Sequence, residues 1–265
     1  MSELIWAPEI HYIDKKWYIY FAAAPNKEVT GITFNHRMYV IECLDADPLT
    51  GTWTEKGQIK TGWESFSLDA TILQHKGKLY YIWAQEDRNV NYESHSNIYI
   101  AEMENPWTLR TKPVMLTQPL LDWEIKIFWV NEGPSILKKN GKIFLTYSAS
   151  ATDENYCMGM LVVNENDDLL DPKSWKKLEK PVFKTSYKNK QYGPGHNSFT
   201  VSEDGMKDLL VYHARNYTDI EGDPLYDPNR HTRVQVIEWD KDGFPIFGEP
   251  VMDTRNVDFD SLRKK

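Results

Sequence analysis

Four short segments of the 265-residue sequence carry side chains that could act together on one bond: Trp6-Ala-Pro-Glu9, Ser67-Leu-Asp69-Ala-Thr, Asn131-Glu132-Gly-Pro134 and Gly193-Pro-Gly-His196-Asn. Glu9, Asp69, Glu132 and His196 follow one another at intervals of roughly 60 to 64 residues. Carboxylates and an imidazole gathered in one cavity suit general acid and base work on a glycosidic bond, where one carboxyl protonates the leaving oxygen. Taken singly, each has a plainer reading: Asp69 as a turn residue, Glu132 as a loop cap, Glu9 as an acceptor for backbone amides, His196 as a satisfied interior histidine. Trp6 and Phe66 offer flat apolar faces that stack on sugar rings, and they fit ordinary channel-wall packing equally well. The Gly-Pro-Gly stretch before His196 is not a phosphate loop, because Pro194 intervenes and no helical pattern follows.

The elements that must hold these groups are strands. Most apolar stretches are short, rich in Tyr, Trp, Ile, Val and Phe, and bounded by Gly, Asp, Asn, Lys or Pro, which is the pattern of hairpins. One hairpin recurs four times, from Trp6, Ser67, Asn131 and Gly195, and each copy ends in a small residue: Ala22, Ala84, Ser148 and Ala214, at spacings of 62, 64 and 66. Weaker strands follow each copy, at Met38 to Cys43, Asn97 to Met103, Met158 to Val163 and Thr232 to Trp239. A unit of this length holding four strands is a propeller blade. A β-sandwich would alternate and turn as often, but it does not predict four like hairpins at near-constant spacing. The sequence therefore predicts an all-β, single-domain propeller over residues 1–265 whose inner strands bring the four segments to one central funnel. Helix is confined to one turn before Trp175 within Asn164 to Trp175, and Asp258 to Lys265 reads as a charged tail.

Composition narrows the function classes. The formal net charge is −8 and like charges form no block, so neither nucleic acid nor an anionic membrane surface is an expected partner. No apolar run approaches the ~20 residues that span a bilayer. The start, Met1-Ser-Glu-Leu-Ile-Trp6, lacks the basic and apolar regions of a signal peptide, which predicts a cytoplasmic chain, or a secreted one if an amino-terminal segment precedes it. Two cysteines, Cys43 and Cys157, are too few for a disulfide scaffold, and no Cys/His cluster has zinc spacing.

In their order and spacing, the four segments resemble glycoside hydrolase family 43, the five-bladed propellers that include α-L-arabinofuranosidases, β-xylosidases and arabinanases. The likeness runs from Ile5 to about Val251 and is strongest to the arabinofuranosidase-like members, partly through Arg230-His-Thr-Arg233-Val-Gln-Val-Ile-Glu-Trp239. It implies hydrolysis with inversion of arabinose- or xylose-containing oligosaccharides. Glu132 would be the general acid, Asp69 the carboxylate that tunes its pKa and orients substrate, and Trp6, Glu9, Phe66, His196 and Arg233 the substrate contacts. It also implies a structural calcium ion at the channel centre, met by His196 largely through water, with no cofactor otherwise required. The family's general base is an Asp in an opening Asp-Pro hairpin tens of residues before the Trp-Ala-Pro-Glu segment. Here only five residues precede that segment, and the pairs at Asp47, Asp171, Asp223 and Asp227 follow outer strands or lie in loops. The expectation is therefore a five-bladed-type propeller with its first blade missing or incomplete, no identified base, poor hydrolysis, and self-association through exposed blade edges. An inactive carbohydrate-binding propeller is the reading of another class. Sugar and linkage preference would be set by loops such as Asn26 to His36 and Asp219 to Arg230.

Overall fold

A computed structural model describes residues 3–30, 33–89 and 95–253; the predicted tail from Asp258 lies outside them. Among the described residues there is no α-helix, and no helix is long and apolar enough to cross a membrane. Four antiparallel sheets follow one another along the chain as propeller blades, matching the four sequence repeats. The first contains Glu3–Ile13, Lys16–Ala24, Arg37–Cys43 and Trp53–Gln58, in that order. The second has Ser67–His75, Lys78–Gln85, Asn97–Asn105 and Thr108–Leu109, with Val114–Thr117 also pairing to Asn97–Asn105. The third has Asn131–Lys139, Lys142–Ala149, Cys157–Asn164 and Lys176–Lys177. The fourth is shorter by a strand: Tyr192–Val201, Asp208–Arg215 and His231–Val236.

Turn chemistry explains why the hairpins close where they do. Asp14-Lys15, Lys76-Gly77 and Asn140-Gly141 are two-residue loops with positive φ at both positions, the backbone that matches the right-handed twist of the flanking strands. The predicted outer strands lie where the sequence puts them, with one difference. The stretch read as continuous from Thr232 to Trp239 breaks after Val236. Ile237 turns inward, 3% exposed, and its N–H donates to the Asp208 carbonyl, after which Glu238–Trp239 pairs with Pro245–Ile246. The predicted turn before Trp175 is a 3₁₀ turn, Pro172–Ser174, with the Asp171 carboxylate accepting from Lys173 N–H.

The sheets stack face to face, and aromatic residues supply most of the filling. One core runs through the first three sheets around Tyr20, Tyr81, Trp83 and Tyr147, and a second joins the third sheet to the fourth around Phe144, Phe183 and Tyr212. Such rings each bury 150–250 Å², so a few per sheet suffice to fix the stacking. Inner strands of successive sheets pack against one another, and every one carries the same irregularity. Its register slips after Trp6, Leu68, Glu132 and Gly195, and the next residue, Ala7, Asp69, Gly133 or His196, has φ of 45°, 48°, 55° or 44°. These are β-bulges, which bend a strand and re-aim a side chain. Four of them at one level turn the ends of the inner strands into the wall of a common cleft.

Candidate active site

The cleft has a volume of about 640 Å³ and is lined from all four sheets, by Trp6, Asp69, Glu132, His196 and the 225–232 segment among others. At its centre the bulges of the second and third sheets interlock. Gly133 N–H donates to Asp69 Oδ2 at 2.9 Å, and His196 Nδ1 lies 3.8 Å from the same oxygen. Gly133 is glycine for a local reason: it has positive φ, and a Cβ would come within 3.3 Å of the His196 ring. His196 N–H in turn donates to Ser148 Oγ at 2.7 Å.

Burial and mutual charge divide the two carboxyls into different roles. The Glu132 carboxyl is raised from 4.5 to about 7, first by burial and then by the Asp69 charge, against Tyr156, His196 and Arg230, which lower it. Asp69 is raised too, by burial, but His196 and the Gly133 N–H favour its ionised form. Of a coupled pair only one ionises easily. The proton therefore belongs on Glu132, and Asp69 keeps the charge. The Tyr156 hydroxyl donates to Glu132 Oε1 at 2.7 Å, which leaves the second oxygen to carry the proton.

Sequence reasoning missed several of these partners. Tyr156 sits in a loop with no repeat counterpart, and its only sequence trace is Gly195, where a Cβ would lie 2.4 Å from its ring. His36 donates from Nε2 to the Leu4 carbonyl at 2.7 Å and lies 4.1 Å from the Trp6 ring, centroid to centroid. Burial lowers its pKa, so a neutral imidazole supports Trp6 from behind. Arg230 lines the cleft with Asp227 and Tyr226, on a loop strapped down by buried Arg215. Arg215 donates to the Thr152 and Pro224 carbonyls and lies 3.4 Å from Asp227.

Three expected contacts fall elsewhere. Arg233 does not line the cleft: it bonds Gln191 and lies 3.2 Å from Asp253. Side chains alternate along a strand, and on His231–Val236 it is Thr232 that faces the cleft. Glu9 lies beyond the bulge, farther down the channel, where it accepts from Thr71 Oγ1 at 2.6 Å and lies 2.8 Å from His11 Nε2. Phe66 precedes its inner strand and packs edge-on to His36 at 5.7 Å, in the wall of a neighbouring cleft. The four Asp-Pro pairs share one job: Asp47, Asp171, Asp223 and Asp227 each accept the N–H two residues on, of Leu49, Lys173, Leu225 and Asn229, the turn for which Asp is favoured. Only Asp227 reaches the cleft. Burial would raise its pKa, but Asn229 N–H, the Tyr217 hydroxyl and Arg215 outweigh that and hold it low.

A protein-ligated calcium ion does not fit these residues. Among the described residues no group of three or more His, Cys, Asp or Glu stands at ligand spacing, and the one carboxylate beside His196 is already engaged by Gly133. Calcium takes six to eight oxygen ligands, so an ion here would depend almost wholly on water.

Comparison with known proteins agrees with the arrangement. Residues 1–245 match the family model for glycosyl hydrolases family 43. An extracellular exo-α-(1→5)-L-arabinofuranosidase of Streptomyces avermitilis is 56% identical over 253 residues, 96% of this chain and 51% of that protein. α-L-Arabinofuranosidase 43 of Humicola insolens is 52% identical over 252 residues, 95% of this chain and 51% of its own length. The chain thus spans about half the length of these curated relatives. Among solved structures, an α-L-arabinofuranosidase from Lactobacillus brevis superposes with a TM-score of 0.94 at 63% identity, covering 97% of this chain and 79% of that one.

Proposed function

Because the chain belongs to glycosyl hydrolase family 43, we propose that it removes terminal α-L-arabinofuranosyl units from arabinose-containing oligosaccharides or polysaccharides, with inversion. The observation that carries this reading is the Asp69–Gly133–Glu132 junction, which supplies a protonated carboxyl near neutral pH beside an ionised one. Glu132 gives its proton to the glycosidic oxygen as the bond breaks, and Asp69 keeps that proton available by opposing ionisation of Glu132. Arg230 and His196 line the cleft and would hold the sugar hydroxyls, with Trp6, backed by His36, offering its ring face. Action outside the cell is in keeping with a polymeric substrate and with the name of the Streptomyces relative. The test is arabinose release followed by proton NMR: the first product should be the β-anomer from an α-linked substrate, and retention would refute the mechanism.

A second reading, a propeller that binds arabinosides but cannot activate water, is favoured by one specific observation. The carboxylates among the cleft residues are Asp69, Glu132 and Asp227, and Asp227 is committed to its own loop. Inversion needs a base to activate water from the face opposite the acid. Azide needs no base, so azide should yield the β-arabinosyl azide even where water reacts slowly. Fast hydrolysis that azide does not alter would rule this second reading out. Self-association is a further proposal, resting on exposed Ile5, Ile10 and Tyr12 of the first sheet and Val234 and Val236 of the fourth; sedimentation of the chain tests it.

A further inference from the structure

Lys180, Lys184, Lys188 and Lys190 fall within eleven residues that hold no acidic side chain, in a chain whose net charge is −8. The last three flank an exposed aromatic ring. Tyr187 is 70% exposed and stands edge-on to Tyr192, 5.6 Å centroid to centroid. A hollow of about 340 Å³ lies against Lys184, Tyr187 and Lys188, and another of about 520 Å³ is lined by Lys188, Lys190, Asn216 and Asp253. The loop is held in shape by its own contacts. Ser186 and Gln191 exchange backbone hydrogen bonds, Ser186 Oγ donates to Glu249 at 2.8 Å, and Asn189 Nδ2 donates to the Pro250 carbonyl at 2.8 Å. Lys184, Lys188 and Lys190 are exposed and, among the described residues, make no ion pair or side-chain hydrogen bond. Of the two carboxylates in the hollows, Asp253 lies 3.2 Å from Arg233 and Glu249 accepts the Ser186 hydroxyl.

The loop is joined to the wall of the cleft on two sides. Thr185 Oγ1 donates to the Glu154 carbonyl at 2.6 Å and accepts from Gly193 N–H at 2.9 Å, which ties it to the segment that brings Tyr156 to Glu132. Gln191 accepts from Arg233, the neighbour of the cleft residue Thr232. We propose that Tyr187, Lys184, Lys188 and Lys190 form a second carbohydrate site, outside the cleft, for a polysaccharide segment that bears uronic-acid carboxylates. The Tyr187 ring offers a flat apolar face to a sugar ring. A lysine ammonium is a compact charge that meets a single carboxylate without bidentate geometry, so three of them around one face suit a chain with a carboxylate on each sugar. A neutral glycan would leave those charges unanswered. A long polyanion such as nucleic acid would run off the loop onto a molecule whose net charge is negative. Binding here does not depend on the arabinofuranosidase reading; with that reading, the loop holds an acidic stretch of a polymer whose arabinosyl end enters the cleft.

The test measures binding, so it needs no turnover. Pentagalacturonate, its methyl ester and a DNA pentamer are titrated calorimetrically into the full chain at low salt, with α-1,5-arabinobiose as a separate probe of the cleft. The acid should bind more tightly than its ester and than the DNA, and its affinity should fall as salt is added. Lys184→Gln, Lys188→Gln and Lys190→Gln together should weaken it about tenfold, and Tyr187→Ala about fivefold. All four side chains are exposed, so melting temperature and arabinobiose binding should stay as in the parent. Equal binding of acid and ester, no binding of pentagalacturonate, or an unchanged affinity in the triple variant overturns the site. Tighter binding of the DNA overturns its assignment to carbohydrate. Failure of arabinobiose to bind counts against the cleft reading alone and leaves this site standing.

Discussion

Replacing Asp69 by Asn should lower the pKa of Glu132 without abolishing its elevation. The carboxyl stands at about 7 against an ordinary 4.5, a bias of roughly 3 kcal/mol toward the protonated form, since each pH unit is worth about 1.4 kcal/mol. Burial is the larger cause and the Asp69 charge the second, so deleting the charge should remove less than half of that bias, about 1 kcal/mol, and leave the acid near 6. The amide can still accept the Gly133 N–H, so the junction between the second and third sheets survives and the change is mainly electrostatic. Carbon-13 NMR of side-chain-labelled Glu, assigned through Glu132→Gln, reads the titration directly and needs no catalysis. If turnover is measurable, its alkaline limb should move down by the same amount. A Glu132 titration that stays at about 7 in the Asn variant would refute the division of roles. An unmoved titration would mean that Asp69 already carries no charge when Glu132 ionises.

Three further outcomes follow from the same contacts. Tyr156→Phe removes the hydroxyl that stabilises ionised Glu132, so the same NMR titration should move above about 7, opposite in sign to Asp69→Asn; a downward movement would contradict it. Glu132→Gln should have little electrostatic effect on stability at pH 4, where the carboxyl is protonated both folded and unfolded. From 4.5 to about 7 the unfolded chain ionises first, so the native protein loses stability as pH rises; by pH 8 the variant should be the more stable by ~3 kcal/mol, and equal melting temperatures there would argue against a raised acid. Gly195→Ala would set a Cβ 2.4 Å from the Tyr156 ring, and urea unfolding should show a loss of about 1–3 kcal/mol; a loss below 0.5 kcal/mol would mean the ring yields freely.

Local signals recorded the fold well because each hairpin carries its own instructions. Lys76-Gly77 and Asn140-Gly141 fix tight loops, and the small residues Ala22, Ala84, Ser148 and Ala214 mark where the second strands approach the axis. The site was legible only where it sits on those hairpins. Asp69, Glu132 and His196 were found by their place in the repeat, whereas Tyr156 and Arg230 come from loops that have no period. Glu9 and Arg233 were misplaced for geometric reasons. A bulge inserts one residue and so shifts everything beyond it, which carries Glu9 below the cleft. Arg233 is on the wrong side of a two-residue alternation, and the charge it was expected to supply arrives from Arg230, just before the strand begins.

The four inner-strand bulges give the protein a set of matching sockets. An alanine, an aspartate, a glycine and a histidine occupy them at positions 7, 69, 133 and 196, with nearly the same backbone in each. The scaffold therefore fixes where a functional group is presented, while the residue type decides what is presented. Chemistry at the rim can be rewritten at positions 7, 69 and 196 without moving a strand, whereas at 133 a Cβ would press on the His196 ring. The vocabulary of the sockets is restricted, since β-branched residues resist positive φ, and a combinatorial library at those three positions should retain folded members chiefly with Gly, Ala, Asn, Asp and His. Each socket filled by something other than glycine stores about 1–3 kcal/mol of backbone strain, so Ala7, Asp69 and His196 together set a standing tension at the rim of the cleft.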